Sequence, residues 1–412
     1  MRFASPLFAI LFFATYAIAA DWPQWLGPNR DGSVPEKITP WKGDLKVLWR
    51  AEVGEGHSSP VVANGMVYLH TKVTGKDSEQ IQAFDADKGD KKWEESYDKP
   101  AFTTPFGNGP RATPSIHDGK IYTFGITGTL ACWDAKTGKP QWKVEVLENP
   151  KGPKNKGHNL VFGLSASPLI VGENVVVQGG GTGSKGLKAY DCKTGKPAWT
   201  AGEDPSSYAA PVLLDKNIVV LTGANLSSIS PDGKVRWQFP FKDALNESST
   251  TPIKVGDMYL TASVTAGGVA VKEVEKDGKP AVEQAWKKPA LNCYFSTPVT
   301  VGKDHLYLVT GVLAINPTVT LRCVEAATGK ELWNKPKVGK YHAALLKLAD
   351  GNLLMHDDVS GDLRLLAPNL KEYQELAKSK ACGQTWAHPA IADGKIYVRD
   401  AKELICLSLT GE

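Results

Sequence analysis

The chain has 412 residues, a hydrophobic fraction of 42%, a formal net charge of +4, 40 glycines and 12 tryptophans. The apolar fraction argues against wholesale disorder, and so mild a charge argues against the concentrated basic face that nucleic-acid binding requires. Many glycines beside many tryptophans indicate short strands joined by tight turns.

The first twenty residues have the features of a secretory signal peptide. Arg2 supplies a positive charge, "LFAILFFATYAIA" is an apolar run, and cleavage is predicted near Ala19 or Ala20. The alternative is an uncleaved N-terminal anchor, although the run is short for a spanning helix and no later stretch is long enough to cross a bilayer. No cysteine follows the cleavage site, so there is no lipobox. We therefore predict a periplasmic or secreted protein without a transmembrane segment.

Residues 21–44 are predicted to form an N-terminal arm that packs on the domain that follows. The arm contains the turn-rich segment "GPNRDG", which spans residues 27–32. Arg30 and Asp31 in this segment are candidates for fixing the arm to the domain. The alternative is that they bind an anion.

From Leu45 onward the chain repeats one unit. Each unit begins with a short segment that ends at a proline, such as "HSSP" at Pro60, although one of the eight segments, "YHAA", has alanine there. Strands and turns follow, and the unit closes with a phrase such as "DAKTGKPQW" (134–142) or "DCKTGKPAW" (191–199). Successive proline positions lie 41 to 54 residues apart, which is the period of a four-stranded propeller blade.

The two ends of the repeat region predict how the ring closes. The last unit stops after its third strand, "ELICLSL" (403–409), whereas "LKVLWRAEV" (45–53) is a fourth strand without the preceding three. We therefore predict an all-β fold in which residues 45–412 form a single eight-bladed propeller of four-stranded antiparallel blades, the last blade being closed by the N-terminal strand. A two-domain arrangement is the alternative, but no linker-like change of composition interrupts the series.

The closing phrase predicts that the outer strand of a blade buries a tryptophan against the neighbouring blade. The seventh blade departs from the pattern, with Leu376 near the expected position. The predicted blade tryptophans are Trp49, Trp93, Trp142, Trp199, Trp237, Trp286 and Trp333.

The six cysteines fall into two groups. Cys132, Cys323 and Cys406 occupy a repeat position that holds alanine in other units, which predicts buried thiols in a tight apolar place. The state of the other three is left open by the sequence, and they show no metal-binding C-x-x-C spacing. They are Cys192, Cys293 and Cys382.

The "D-x-x-T-G-K-x-x-W" phrases resemble those of the PQQ-like (quinoprotein alcohol dehydrogenase-like) β-propeller repeat family, over roughly residues 45–409. In blade number, length and lack of catalytic motifs the chain is also similar to BamB-like eight-bladed exported propellers, although it lacks their lipobox cysteine. The resemblance implies the propeller fold. For family members that use PQQ it implies a quinone beneath a ring of two adjacent cysteines, a Ca²⁺ site and a catalytic aspartate. No two cysteines here are adjacent, and the acidic residues match no such motif.

Strand order places the long D–A and B–C loops on one face of the propeller, where function is usually found. The residues three positions before each proline should ring the mouth of the central channel on this face. The large members of this ring suit a flat, anionic or peptidic ligand. The alternative is that they only plug the channel. They are His57, Arg111, Tyr208, Phe295, Tyr341 and Trp386.

Two further motifs could be ligand sites, but each has a simpler structural interpretation. The segment "QGGGTGSKG" (178–186) lacks the strand-to-helix context of a phosphate-binding loop and is predicted to be a flexible B–C loop. Asp357, Asp358 and Asp362 are candidates for a Ca²⁺ site, but a solvated hairpin loop is the preferred interpretation. No metal site is predicted.

Together these features predict a non-catalytic exported scaffold, monomeric and without a cofactor. It would bind an envelope or extracellular protein, peptide or glycan, and no nucleic acid, through the D–A/B–C face and the channel mouth. The alternative function is a PQQ-dependent quinoprotein dehydrogenase that uses PQQ with Ca²⁺ to oxidise an alcohol or sugar.

Overall fold

The structure is a computed structural model that describes residues 21–147, 161–179, 186–311 and 314–409. The predicted signal peptide and residues 180–185 of the glycine-rich segment lie outside the described residues. Within them the chain forms 32 β-strands in eight four-stranded sheets. The described part contains no helix with the length and apolarity that crossing a bilayer requires.

Each blade consists of strands lettered A to D from the centre of the ring outward. Blade 1 contains β2 (Val61–Ala63), β3 (Met66–Lys72), β4 (Ser78–Asp85) and β5 (Lys91–Asp98). Blade 2 contains β6 (Ser115–His117), β7 (Lys120–Phe124), β8 (Thr129–Asp134) and β9 (Pro140–Glu145). Blade 3 contains β10 (Leu169–Val171), β11 (Asn174–Gln178), β12 (Leu187–Asp191) and β13 (Pro197–Ala201). Blade 4 contains β14 (Val212–Leu214), β15 (Asn217–Leu221), β16 (Asn225–Ile229) and β17 (Val235–Pro240).

The second half of the ring follows the same order. Blade 5 contains β18 (Ile253–Val255), β19 (Met258–Ser263), β20 (Gly267–Lys276) and β21 (Lys279–Lys288). Blade 6 contains β22 (Val299–Val301), β23 (His305–Gly311), β24 (Val319–Glu325) and β25 (Glu331–Gly339). Blade 7 contains β26 (Ala343–Lys347), β27 (Leu353–Asp357), β28 (Asp362–Leu366) and β29 (Glu375–Lys380). Blade 8 contains β30 (Ala390–Ala392), β31 (Lys395–Arg399), β32 (Glu403–Ser408) and, as its D strand, β1 (Val47–Glu52).

The ring closes as the sequence predicts. Strand β1 pairs antiparallel with β32, with Trp49 opposite Cys406. The A strand of blade 1, β2, contacts the A strand of blade 8, β30, on one side. On its other side it contacts β6, the A strand of blade 2. The all-β, eight-bladed fold closed by the N-terminal strand is therefore confirmed, and the ring leaves no blade face uncovered.

The hydrophobic core lies between adjacent blades, because each sheet buries both faces against its neighbours. Val176 of β11 and Ile218 of β15 are fully buried in one such layer between blades 3 and 4. The central strands of the blades consequently have nearly continuous apolar sequences, whereas the outer strands alternate between partly buried and exposed residues.

The repeated phrase builds a turn of fixed shape between strands C and D. In blade 2 the Asp134 carboxylate accepts hydrogen bonds from the Thr137 backbone N–H at 2.8 Å and from its hydroxyl at 2.7 Å. Gly138 follows with a φ of 76°, a left-handed conformation that glycine adopts without strain. The spacing D-x-x-T-G is thus the spacing of an Asp-capped turn.

In each such turn the glycine also provides the surface on which the tryptophan of the preceding blade packs. A Cβ atom on Gly195 would lie 2.6 Å from the Trp142 ring, and the Trp142 indole N–H donates to the Cys192 carbonyl at 3.0 Å. The phrase therefore shapes the turn of its own blade and provides the surface on which the outer strand of the preceding blade docks. Equivalent pairs are Trp49 with Gly89, Trp93 with Gly138, Trp199 with Gly233 and Trp286 with Gly329.

The remaining two tryptophans contact the next blade in other ways. The Trp237 indole donates to the Glu273 carboxylate at 2.8 Å, because β20 and β21 form a longer hairpin there. The Trp333 indole donates to the Asn369 carbonyl at 2.9 Å. Leu376 replaces tryptophan in blade 7 where the next blade offers no C–D turn, since β32 and β1 come from opposite ends of the chain.

Two points along the N-terminal arm bind A strands of different blades. Trp22 and Val62 of β2 exchange two backbone hydrogen bonds of 2.9 Å. The Val34 N–H donates to the Lys347 carbonyl of β26 at 2.7 Å. The arm therefore crosses from blade 1 to blade 7 and covers the central channel on the A–B side of the ring.

Arg30 holds the middle of the arm to blade 3. Its side chain is 2% exposed and donates to the Ser167 carbonyl at 3.2 Å and to the Pro168 carbonyl at 2.8 Å. It also contacts the Gln24 side-chain oxygen at 3.2 Å. Burial lowers the pKa of Arg30 to about 9. The Arg30 guanidinium therefore fixes the arm to the propeller and is not positioned to bind an external anion.

All six cysteines are buried, and none forms a disulfide. Burial raises the pKa of Cys132 to about 12 and that of Cys323 to about 11. The thiols therefore behave as small apolar core groups. The three cysteines left open by the sequence share this environment.

Candidate binding site at the channel mouth

The residues three positions before each proline position converge at the D–A/B–C end of the channel. Seven of the eight line one cavity of about 100 Å³, named here the mouth cavity. The intervening residues, two positions before the proline, are buried between the blades. The mouth cavity is lined by His57, Arg111, Ser165, Tyr208, Ser249, Phe295 and Trp386 of this ring, together with Trp25, Phe162, Ser167 and Ala210.

The eighth ring residue, Tyr341, lies in an adjoining cleft of about 390 Å³. This mouth cleft is open to the surface and shares His57 and Trp386 with the mouth cavity. All six large candidate residues are thus brought to one place. The mouth cleft is lined by Glu55, Gly56, His57, Pro105, Phe106, Gly107, Tyr341, Gln384, Thr385, Trp386, Asp400 and Ala401.

Trp386 is the centre of an aromatic cluster between the two spaces. Its ring stacks on Phe295 at a centroid distance of 5.5 Å and an angle of 25°. His57 lies 4.9 Å away, and Tyr341 meets the indole edge-on at 5.9 Å. The rings fill part of the channel, as the plug interpretation proposed. They do not fill it completely, because the mouth cavity and the mouth cleft remain.

Besides Trp25 of the arm, two aromatic loop residues of the site were missed by the sequence reasoning. Phe106 comes from the loop between β5 and β6, and Phe162 from the loop between β9 and β10, and their rings lie 4.9 Å apart. Phe162 also meets Phe295 edge-on at 5.5 Å. The unusual length of these two D–A loops was the available signal, but the repeat pattern does not say which loop residue turns inward.

Arg111 fastens one of these loops instead of facing an anion. Its guanidinium donates to the carbonyls of Phe106 and Gly107 at 3.0 Å and of Gly109 at 3.2 Å. Burial lowers the pKa of Arg111 to about 10. Because three of its hydrogen bonds go to this loop, Arg111 is less available to bind an anion than the sequence suggested.

His57 is a neutral member of the site. Burial, with a smaller contribution from the Arg111 charge, lowers its pKa to about 3. Its Nε2 lies 2.9 Å from the Phe106 carbonyl, so this nitrogen carries the proton and donates. The ring therefore contributes an apolar edge to the cluster and no charge near neutral pH.

The arm forms the floor of the mouth cavity. The Trp25 indole N–H donates to the Thr251 hydroxyl at 3.0 Å, and its ring lies 4.5 Å from that of His388. Thr251 belongs to blade 5 and His388 to blade 8, so Trp25 spans the channel. A ligand therefore reaches the cavity from the D–A/B–C face.

The three aspartates considered for Ca²⁺ have other partners. The Asp358 carboxylate accepts the backbone N–H groups of Lys340 at 2.7 Å and Tyr341 at 2.9 Å. Asp357 accepts the Ser360 N–H at 2.7 Å, and Asp362 pairs with the Lys378 ammonium at 2.8 Å. All three are buried, so the solvated hairpin expected from the sequence is wrong. Asp358 instead fixes the backbone that carries Tyr341.

The described residues do not fit PQQ with Ca²⁺. PQQ carries carboxylates that need cationic partners, and Arg111, the one cation among the described lining residues of the mouth cavity, already donates to three carbonyls. None of these lining residues is a carboxylate. In the described ranges no three histidine, cysteine, aspartate or glutamate side chains are grouped to hold a metal ion.

Comparison with known proteins identifies the family. A family model described as outer membrane protein assembly factor BamB matches residues 36–104 and 98–315, more than half of the chain. An outer membrane protein assembly factor BamB of Burkholderia pseudomallei is 31% identical over 204 residues, 47% of this chain and 48% of that protein. The dehydrogenase subunit of a quinone alcohol dehydrogenase of Gluconobacter oxydans is 30% identical over 167 residues, which are 38% of this chain. The match spans only 21% of that dehydrogenase subunit.

Solved structures share the fold at low sequence identity. The quinohemoprotein alcohol dehydrogenase of Comamonas testosteroni superposes with a TM-score of 0.68 at 15% identity, over 97% of this chain and 82% of that one. BamB of Moraxella catarrhalis superposes with a TM-score of 0.58 at 13% identity, over 88% of this chain and 97% of that one. From the match of the family model, the chain belongs to the PQQ-like β-propeller family described as outer membrane protein assembly factor BamB.

Proposed function

We propose that this protein is a non-catalytic propeller scaffold that binds a protein, peptide or glycan through its D–A/B–C face and channel mouth. The observation that carries the proposal is the aromatic mouth around Trp386, which opens to one face while the arm covers the other end of the channel. Partly exposed aromatic rings beside a shaped cleft suit recognition, because they supply contact area with little loss of side-chain entropy.

The chemistry of the mouth supports binding more than catalysis. His57 is neutral and donates to a backbone carbonyl, and Arg111 fastens a loop. Neither is paired with a nucleophile, so the general-base geometry of a hydrolytic or proton-transfer site is lacking at the cavity lining. The proposal includes export, with a periplasmic or extracellular location and a monomeric state.

The second candidate function is a PQQ-dependent dehydrogenase of alcohols or sugars. It is supported by relatives named as quinone alcohol dehydrogenases and by one named as a lanthanide-dependent methanol dehydrogenase of Methylorubrum extorquens, which is 30% identical over 165 residues. The match covers 25% of that methanol dehydrogenase. The poor fit of the described mouth residues to PQQ weighs against this function.

Two measurements separate the candidates. A thermal-shift titration with PQQ, with and without Ca²⁺, tests the dehydrogenase, since a ligand that binds only the folded state raises its melting temperature. Dye reduction with ethanol and glucose tests its activity. Saturable stabilisation together with turnover would replace the scaffold proposal.

The scaffold proposal is tested with a double variant, Tyr341→Ala/Trp386→Ala. Cross-linking of the mature protein in an envelope fraction should capture a partner that the double variant loses. The matched control is Lys193→Ala/Lys234→Ala, which changes two exposed C–D turn residues on the opposite face. Equal capture by all three proteins would contradict binding through the mouth.

A further inference from the structure

We propose that the mouth cleft binds a neutral glycan, with a sugar ring stacked against the cluster of Phe106, Tyr341 and Trp386. This inference rests on the proposed function, because it names the ligand class of the same face. Four properties of the cleft support it: its shape, its charge, the pairing of its backbone and its unpaired polar atoms.

The shape of the cleft suits a small ligand or the end of a chain. Its volume of about 390 Å³ lies within the usual range of small-molecule sites. Phe106, Tyr341 and Trp386 supply apolar surfaces on its walls, and Glu55 and Gln384 supply polar groups at the same opening. A sugar ring matches both kinds of surface, because its faces are apolar and hydroxyl groups project from its rim.

The charges around the cleft nearly balance. Glu55 and Asp400 contribute two carboxylates, and Arg111 and Arg399 contribute two buried guanidinium groups close by. The Lys340 ammonium adds one positive charge, 5.1 Å from the centroid of the Tyr341 ring. The Arg399 side chain is 1% exposed and donates to the Gly54 carbonyl at 2.9 Å. A strongly cationic or anionic ligand would therefore find no large complementary charge in the cleft. A neutral ligand does not need one.

The backbone around the cleft is already paired, which disfavours an extended peptide. The Pro110 carbonyl accepts the N–H groups of His57 at 2.8 Å and Ser58 at 3.1 Å. The Glu55 carbonyl accepts the Lys72 N–H at 2.8 Å. A peptide that binds by adding a strand needs unpaired backbone groups, so recognition here has to use side chains.

Among the described residues, Glu55 and Trp386 each have a polar side-chain atom that a ligand can use, beside the amide of Gln384. Glu55 uses Oε1 to accept the Asn108 N–H at 2.8 Å, which leaves Oε2 to accept a ligand hydroxyl. The Trp386 indole N–H is buried and has no hydrogen-bond partner among the described residues. An unpaired buried donor is costly, and a ligand oxygen that reached it would relieve that cost.

The test is calorimetry and saturation-transfer NMR of the mature protein with neutral tetrasaccharides: cellotetraose, maltotetraose and chitotetraose. Saturable binding of at least one is expected, with affinity reduced about tenfold or more in Trp386→Ala. Trp386→Phe should retain most of the affinity because it keeps an aromatic face. Glu55→Gln should weaken binding severalfold. Ile315→Ala is the matched control, since Ile315 is 99% exposed on a B–C loop of the same face.

Three results would overturn the inference. They are no binding of any neutral tetrasaccharide, binding unchanged in a folded Trp386→Ala protein, or tighter binding of tetralysine or deacetylated chitotetraose than of chitotetraose. Circular dichroism melting establishes that each variant is folded. If the sugars fail while the Tyr341→Ala/Trp386→Ala variant still loses a protein partner, the glycan inference is wrong and the scaffold proposal stands. If both fail, both are wrong.

Discussion

The Trp25 indole lies against the His388 imidazole, with ring centroids 4.5 Å apart and planes at 61°. One residue comes from the N-terminal arm and the other from the last blade, so the contact joins the two ends of the repeat series inside the channel. Strand β1 closes the ring at its outer edge by completing blade 8, and the arm links blades across the central channel. Both contacts come from the N-terminal segment of the chain.

The first prediction concerns the residue that holds the arm in place. Arg30→Met removes the donors to the carbonyls of Ser167 and Pro168. Because these buried acceptors lose a charged partner, we expect a loss of roughly 2–4 kcal/mol in the free energy of unfolding. Urea denaturation measures it. Asp31→Asn is the control, since Asp31 is exposed and bonds only locally to Ser33. Equal stability of the two variants would contradict the role given to Arg30.

The second prediction separates the two functions of the repeat glycine. Gly195 and Gly119 have φ values of 69° and 68°, but a Cβ on Gly195 would lie 2.6 Å from the Trp142 ring while one on Gly119 meets nothing within 4 Å. Gly119→Ala should cost about 1–2 kcal/mol, from the left-handed backbone alone. Gly195→Ala should cost about 1–3 kcal/mol more, because the tryptophan must move. The difference between the two urea midpoints is the measurement, and no difference would disprove the docking role.

The blades follow from the sequence because their determinants recur. The Asp-capped turn needs D-x-x-T-G, and the tryptophan of the preceding blade needs that glycine, so both appear at a fixed period. The ring of residues at the channel mouth follows for the same reason, since strand alternation fixes which side chains face the axis. The exposure of Asp357 and Asp358 was misjudged because it depends on the backbone of a neighbouring loop.

The path of the arm and the inward loops do not follow from the sequence. Trp25 reaches Thr251 across 226 residues, and no second copy of the arm exists to reveal a pattern. Phe106 and Phe162 enter the site through loops that differ in every blade. Their positions are set by tertiary contacts, including the hydrogen bonds of Arg111 to the loop that carries Phe106, and local propensity carries no information about such contacts.

The third prediction concerns the cysteines. All six are buried without a disulfide, and burial raises the pKa of Cys293 and of Cys406 to about 12. At pH 8 the native protein should therefore react with a thiol reagent such as DTNB only as fast as it unfolds. In guanidinium chloride without reductant, all six thiols should react. Fewer than six in the denatured protein would reveal a disulfide, and rapid reaction of the native protein would contradict the burial.

The fourth prediction concerns acid. His342 and His356 are buried, and burial lowers their pKa from 6.5 to about 3 and about 4. Above pH 6.5 both are neutral in the folded and unfolded states, so they add no pH dependence there. Between pH 6.5 and 4 the unfolded chain takes up a proton that the folded protein refuses. Each such histidine should therefore lower the free energy of unfolding by about 1.4 kcal/mol per pH unit as the pH falls.

The variant His356→Gln tests this sign directly, because it removes one of these protons from the unfolded chain and leaves the other groups in place. Urea titrations at pH 7.5, 6 and 5 should show a stability loss on acidification that is smaller in the variant by about 1.4 kcal/mol per unit below pH 6.5. His117→Gln is the matched control, since it changes an exposed histidine outside the core. A slope in His356→Gln equal to that of the wild type would mean that His356 takes up a proton in the folded state, and its environment would have to be more polar than its burial against Cys382 implies.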